Sequence, residues 1–84
     1  MNISGVIVRT LPRDIDRVSR ALRQLHGVEV HGANQDGRLV VTVEQAGERA
    51  IADAMLALQT LPGVLSASMV YHQFEETETG EAVQ

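Results

Sequence analysis

The chain has 84 residues, 44% of them hydrophobic, which is enough for one small domain around a single modest core. Eleven acids outweigh seven bases, every base is arginine, and Tyr71 and Phe74 are the only aromatics; that balance argues against the basic grooves and stacking rings by which proteins hold nucleic acid. Cysteine is absent, which excludes disulfides, thiolate metal sites and cysteine catalysis, and no apolar run approaches the roughly eighteen residues of a membrane span, so no membrane insertion is expected.

The opening MNISGVIVRT lacks a basic leader before a long apolar stretch, so no export signal is expected and the expected compartment is the cytoplasm. From about Ile3 to Thr10 the residues alternate as a strand does, Val6 and Val8 against Gly5, Ile7 and Arg9. Leu11-Pro12 ends it, and Pro12 suits the first turn of a helix. From about Asp14 to Leu25, the spacing of Ile15, Val18, Leu22 and Leu25 predicts an amphipathic helix with Arg13, Arg17 and Arg20 toward the other side. That arginine row, laced with Asp14 and Asp16, reads as a solvated surface before it reads as an anion site.

Gly27 ends the helix and a second strand runs from about Val28 to Ala33. Asn34-Gln35-Asp36-Gly37 is hairpin chemistry, and Arg38 to Glu44 is the third strand, its Leu39, Val41 and Val43 alternating with Arg38, Val40, Thr42 and Glu44. Gly47 to Thr60 predicts a second helix with Ile51, Ala54, Met55 and Leu58 on one stripe. A last strand starts after Gly63. The residues 75–84, four of them glutamate, have little to bury, and a flexible acidic tail is expected after a domain of residues 1–74.

The order βαββαβ carries an internal repeat. LRQLHGV, Leu22 to Val28, matches LQTLPGV, Leu58 to Val64, thirty-six residues on: two leucines end a helix, a glycine turns the chain, a valine opens a strand. Two such halves give an α+β, ferredoxin-like two-layer sandwich, with right-handed crossovers and an antiparallel sheet in the order 4-1-3-2. The helix-facing set is expected to be Val6, Val8, Val28, Val30, Leu39, Val41, Val43, Leu65, Ala67 and Met69. The other sheet face stays uncovered; its expected occupants are Gly5, Ile7, Arg9, Val40, Thr42, Glu44, Ser66, Ser68, Val70 and His72. It is an apolar patch of small residues with polar edges, either ordinary surface or a partner-binding face.

Catalysis finds little support. His31 and His72 fall on opposite edge strands, three strand spacings or roughly 14 Å apart, too far for one metal ion. Ser68 and His72 share a strand but lie roughly 13 Å apart, beyond hydrogen-bond reach. There is no glycine-rich phosphate loop and no lysine. Neither an enzyme nor a resident cofactor or metal is expected.

The stretch LPGVLSASMVYHQFEE, Leu61 to Glu76, resembles the C-terminal signature of the NapD family, cytoplasmic assembly chaperones for the catalytic subunit of periplasmic nitrate reductase. The run Val70-Tyr71-His72-Gln73 followed by Glu75 and Glu76 is its specific part; the turn at Gly63-Val64 alone is common to many domains of this fold. Weaker likeness extends through Val6 to Val8, Leu25 to Val30 and Leu39 to Glu44. The resemblance implies binding of the twin-arginine signal peptide of the nitrate reductase precursor, which holds back export until cofactor insertion is complete. On that reading Ile7, Val40 and Val70 meet the apolar side of the leader, Ser66 and Ser68 leave room for its backbone, Arg9 and Thr42 flank it, and His72, Glu75 and Glu76 lie near its arginines. A monomer is expected. A rival mode adds the leader to an edge strand; a rival function is a ligand-sensing regulatory domain of the ACT or RAM type, which shares the fold.

Overall fold

A computed structural model of the chain describes residues 2–74. Strand β1 (Asn2–Thr10) leads through a short 3-10 turn (Pro12–Asp14) into α1 (Ile15–Arg23); β2 (Val28–Ala33), β3 (Arg38–Gln45), α2 (Glu48–Thr60) and β4 (Val64–Phe74) follow. All strand pairs are antiparallel and the sheet order is β2-β3-β1-β4, the ferredoxin-like arrangement read from the repeat. Helix α1 begins at Ile15, the first residue of the expected apolar stripe, after a 3-10 turn that the fixed φ of Pro12 suits, and it ends at Arg23, two residues short of Leu25.

The repeated glycines do the same work twice. Gly27 and Gly63 have φ of 79° and 95°, the left-handed region where a Cβ is penalised. A Cβ at Gly27 would run into the carbonyl of Glu44, and one at Gly63 would lie 2.8 Å from the Val18 side chain. Each turn is also tied down by a side chain at the end of a central strand. Gln45 Nε2 donates to the His26 carbonyl at 2.8 Å, and Thr10 Oγ1 donates to the Gly63 carbonyl at 2.7 Å. Both halves thus use a left-handed glycine and a strand-end tether, although the tether reaches the residue before the glycine in one half and the glycine itself in the other.

Both helices cover one sheet face. Val6, Val8, Val28, Leu39, Val41, Val43 and Ala67 of the sheet are buried against Val18 and Leu22 of α1 and Ile51 and Leu58 of α2; Leu25, Val30, Ala54, Met55, Leu61 and Val64 pack around them. Two members of the expected helix-facing set depart from it. Leu65 is 65% exposed because it is the extra residue of a β-bulge: Arg9 pairs with Ser66 but Thr10 pairs with Val64. Val64 takes the inner position instead. Met69 does stand on the helix side, opposite Val6, but β4 is an edge strand and α2 covers it only in part.

A second bulge re-aims the end of β4. Gly5 pairs with Tyr71 and Val6 with Met69, so Val70 is the extra residue and the faces change over beyond it. Tyr71 takes the open face opposite Gly5. His72 moves to the helix side opposite buried Ser4, where His72 Nδ1 and Ser4 Oγ are 2.7 Å apart. The sequence expectation that His72 shares the open face with Ser66 and Ser68 is therefore corrected: alternation holds only along a regular strand, and β4 is irregular at Val70.

Candidate functional site

The sheet face that no helix or other described residue covers is built row by row from the strand register. On β1 the buried residues are Asn2, Ser4, Val6, Val8 and Thr10, so Ile3, Gly5, Ile7 and Arg9 point the other way. Their β3 partners are Glu44, Thr42, Val40 and Arg38 in that order. Glu29 of β2 lies opposite Thr42, and β4 contributes Ser66 opposite Arg9, Ser68 opposite Ile7, Tyr71 opposite Gly5 and Gln73 opposite Ile3.

The centre of this face is the pair Ile7–Val40 with Ser68 alongside. Val40 is 46% exposed, while Ser68 presents little bulk. Tyr71 adds an aromatic ring on one side. A Cβ at Gly5 would stand 3.2 Å from Tyr71 Cδ1, so the ring lies down across the bare backbone of that glycine. Thr42 Oγ1 and His31 Nε2 are 2.7 Å apart, and the Glu29 carboxylate is 3.7 Å from the same ring nitrogen. His31 is itself the extra residue of a bulge in β2, between the pairs Val30–Val41 and Gly32–Val40.

Of the residues singled out from sequence, Ile7, Arg9, Val40, Thr42, Ser66 and Ser68 are brought together on this face. Val70 lies in the bulge at the edge, 62% exposed. His72 is on the opposite side. Glu75 and Glu76 lie outside the described residues. Tyr71, Glu29 and Arg38 belong to the face and escaped the sequence reading of the site; a glycine inside a strand, Gly5, was the available signal that a ring or backbone approaches closely there.

Concavities also occur on the helix layer. One cavity of about 340 Å³ between α1 and β2 is lined by Asp16, Ser19, Arg20 and Arg23, among others. Another of about 380 Å³ between α2 and β4 is lined by Glu48, Ile51, Ala52, Met55, Met69 and His72. Among the described residues no group of three His, Cys, Asp or Glu is arranged to hold a metal ion. His31 and His72 stand on opposite edge strands and reach different faces of the sheet.

A family model described as NapD protein matches residues 1–76. The curated Chaperone NapD of Escherichia coli K12 is 29% identical over 75 residues, covering 88% of this chain and 86% of that relative. The Chaperone NapD of Paracoccus pantotrophus is 31% identical over 83 residues, 99% of this chain and 73% of that one. Among solved structures, the E. coli Tat proofreading chaperone protein NapD superposes with a TM-score of 0.79 at 29% identity, covering 88% of this chain and 79% of that one. A Pyrococcus furiosus transcriptional regulatory protein of the AsnC family gives a TM-score of 0.72 at 15% identity over 95% of this chain and 54% of that one, a likeness of fold alone.

Proposed function

The chain belongs to the NapD family, and on that premise we propose that it is a chaperone that binds the twin-arginine signal peptide of the periplasmic nitrate reductase catalytic subunit precursor. It acts as a cytoplasmic monomer without catalysis of its own, and binding delays export until cofactor insertion is complete. The observation that carries this reading is the uncovered sheet face, apolar at Ile7 and Val40, in a chain whose relatives are named as chaperones and one of them as a Tat proofreading chaperone.

The leader has a basic start and a moderately apolar continuation. Laid as a helix on the face, it covers Ile7, Val40 and Val70 with its apolar side, while Ser66 and Ser68 keep the surface low enough for close approach. Magnitudes divide the labour. Full burial of an aliphatic side chain contributes about 1.5–3 kcal/mol, and an exposed ion pair about 0.2–1 kcal/mol. Covering the half-exposed aliphatics therefore supplies affinity, and charge governs approach and register. Thr42 and Arg9 border the contact.

Addition of the leader to an edge strand is less well supported. The edge strand β4 is bulged at Leu65 and Val70, and the edge strand β2 at His31. Bulges twist an edge away from a further strand and are a common device against edge pairing. The ligand-sensing alternative draws only on shared fold, since the AsnC-family likeness is at 15% identity.

Titration calorimetry with a synthetic leader peptide and its twin-lysine variant tests the proposal. The wild-type protein should bind the leader, and Val40→Glu should abolish binding while circular dichroism stays native. Ala52→Glu, in the cleft between α2 and β4, should leave binding unchanged. Wild-type affinity in Val40→Glu, or loss in Ala52→Glu, would move the site off the sheet face.

A further inference from the structure

The uncovered face is bipolar along its strands. At one end Arg9 of β1 is paired with Arg38 of β3; at the other, Glu44 of β3 is opposite Ile3 and Glu29 of β2 is opposite Thr42. All four charged side chains are exposed, and among the described residues Arg9, Arg38 and Glu44 have no ion-pair partner. Between the ends lie Ile7, Val40 and Ser68, and the Tyr71 ring shares the row of Glu29 at the opposite edge of the sheet. The rows of Arg9 and Glu44 are six residues apart on the strand, about 20 Å, the length of about thirteen residues of α-helix.

Resting on the reading that this face holds a twin-arginine leader, we infer that the face fixes the direction of the bound peptide. The arginine pair sits at the end of the face that holds Glu29 and Glu44, with the Tyr71 ring across the sheet in the row of Glu29, and the carbonyl end of the leader helix sits over Arg9 and Arg38. Three complementarities run the same way. Glu29 and Glu44 meet the guanidinium groups of the leader, forming charge-assisted contacts that suit the planar arginine fork. The Tyr71 ring, held flat by the absence of a side chain at Gly5, offers its face for a guanidinium to stack upon. At the far end, the partial negative charge of a helix C-terminus is stabilised by Arg9 and Arg38. Reversing the peptide sets arginine against arginine and helix carbonyls against glutamate, so both charge terms change sign and the stacking contact is lost.

The test uses ¹⁵N-labelled full-length protein and a synthetic leader peptide with a nitroxide at one end or the other. A label at the amino end should broaden the amide signals of Ile3, Thr42 and Glu44, and a label at the carboxyl end those of Val8, Arg9 and Arg38. The opposite assignment, or equal broadening at both ends, overturns the direction while leaving sheet-face binding intact; broadening confined to α1 and α2, or no binding, overturns the parent reading instead. A charge cycle gives a second readout. The double variant Glu29→Gln, Glu44→Gln should weaken the arginine-pair peptide roughly threefold to tenfold and leave a glutamine-pair peptide unchanged. Equal losses for both peptides would contradict recognition of the arginines at this end of the face. Sedimentation of the peptide-free protein closes the remaining possibility, since a dimer that the same double variant dissociates would assign the face to a second copy of the chain.

Discussion

Single residues decide what the open face looks like, and Gly5 is the clearest case. Its missing side chain lets the Tyr71 ring lie across β1. Gly5→Val would force the ring outward by a few tenths of an ångström or more; we predict a nearly native melting temperature and a several-fold loss of leader affinity, measured together by thermal denaturation and calorimetry. Asn2 makes the opposite kind of contribution. It is fully buried and, among the described residues, neither polar atom of its amide has a partner. An unsatisfied buried amide costs about 1–3 kcal/mol, so Asn2→Val should raise the melting temperature without altering binding. His72 also changes role at this scale. Its ring nitrogen meets Ser4 on the helix side, so His72→Ala should lower stability by about 1 kcal/mol in urea titrations and leave leader affinity as it was.

Among the elements, β4 is where sequence and structure part company. The repeat of leucines, glycine and valine at Leu22–Val28 and Leu58–Val64 was enough to read the topology, because similar local chemistry makes similar helix-to-strand turns. Alternation on β1 and β3 likewise gave Ile7 and Val40 as neighbours, since those strands pair without a break. On β4 the same counting failed at Leu65 and beyond Val70. A bulge adds one residue without any obligatory residue type, so nothing in LSASMVYHQ announces it, and every later side chain changes face. Ser66 and Ser68 lie between the two bulges and kept their side; His72 lies past the second and did not. Glu29 and Arg38 were missed for another reason. Their importance comes from the row they occupy across three strands, and pairing register is not a property of any one segment.

As a whole molecule the chain carries a net charge of −4, yet recognition depends on where the charges sit rather than on their sum. The arginine and glutamate ends of the face lie about 20 Å apart, two screening lengths at 0.1 M salt, so a bound peptide meets them as separate fields. Leader affinity should therefore fall as salt rises, and fall less steeply in the Glu29→Gln, Glu44→Gln variant, while the apolar centre keeps a salt-independent remainder. Two layers make this possible: among the described residues, the helices complete the core on one face and nothing covers the other. The most direct measurement is chemical-shift mapping of the ¹⁵N-labelled protein on addition of unlabelled leader peptide. The account predicts that the largest changes cluster at Gly5, Ile7, Val40, Thr42, Ser68 and Tyr71; changes concentrated instead on α1 and α2, with those residues unmoved, would contradict it.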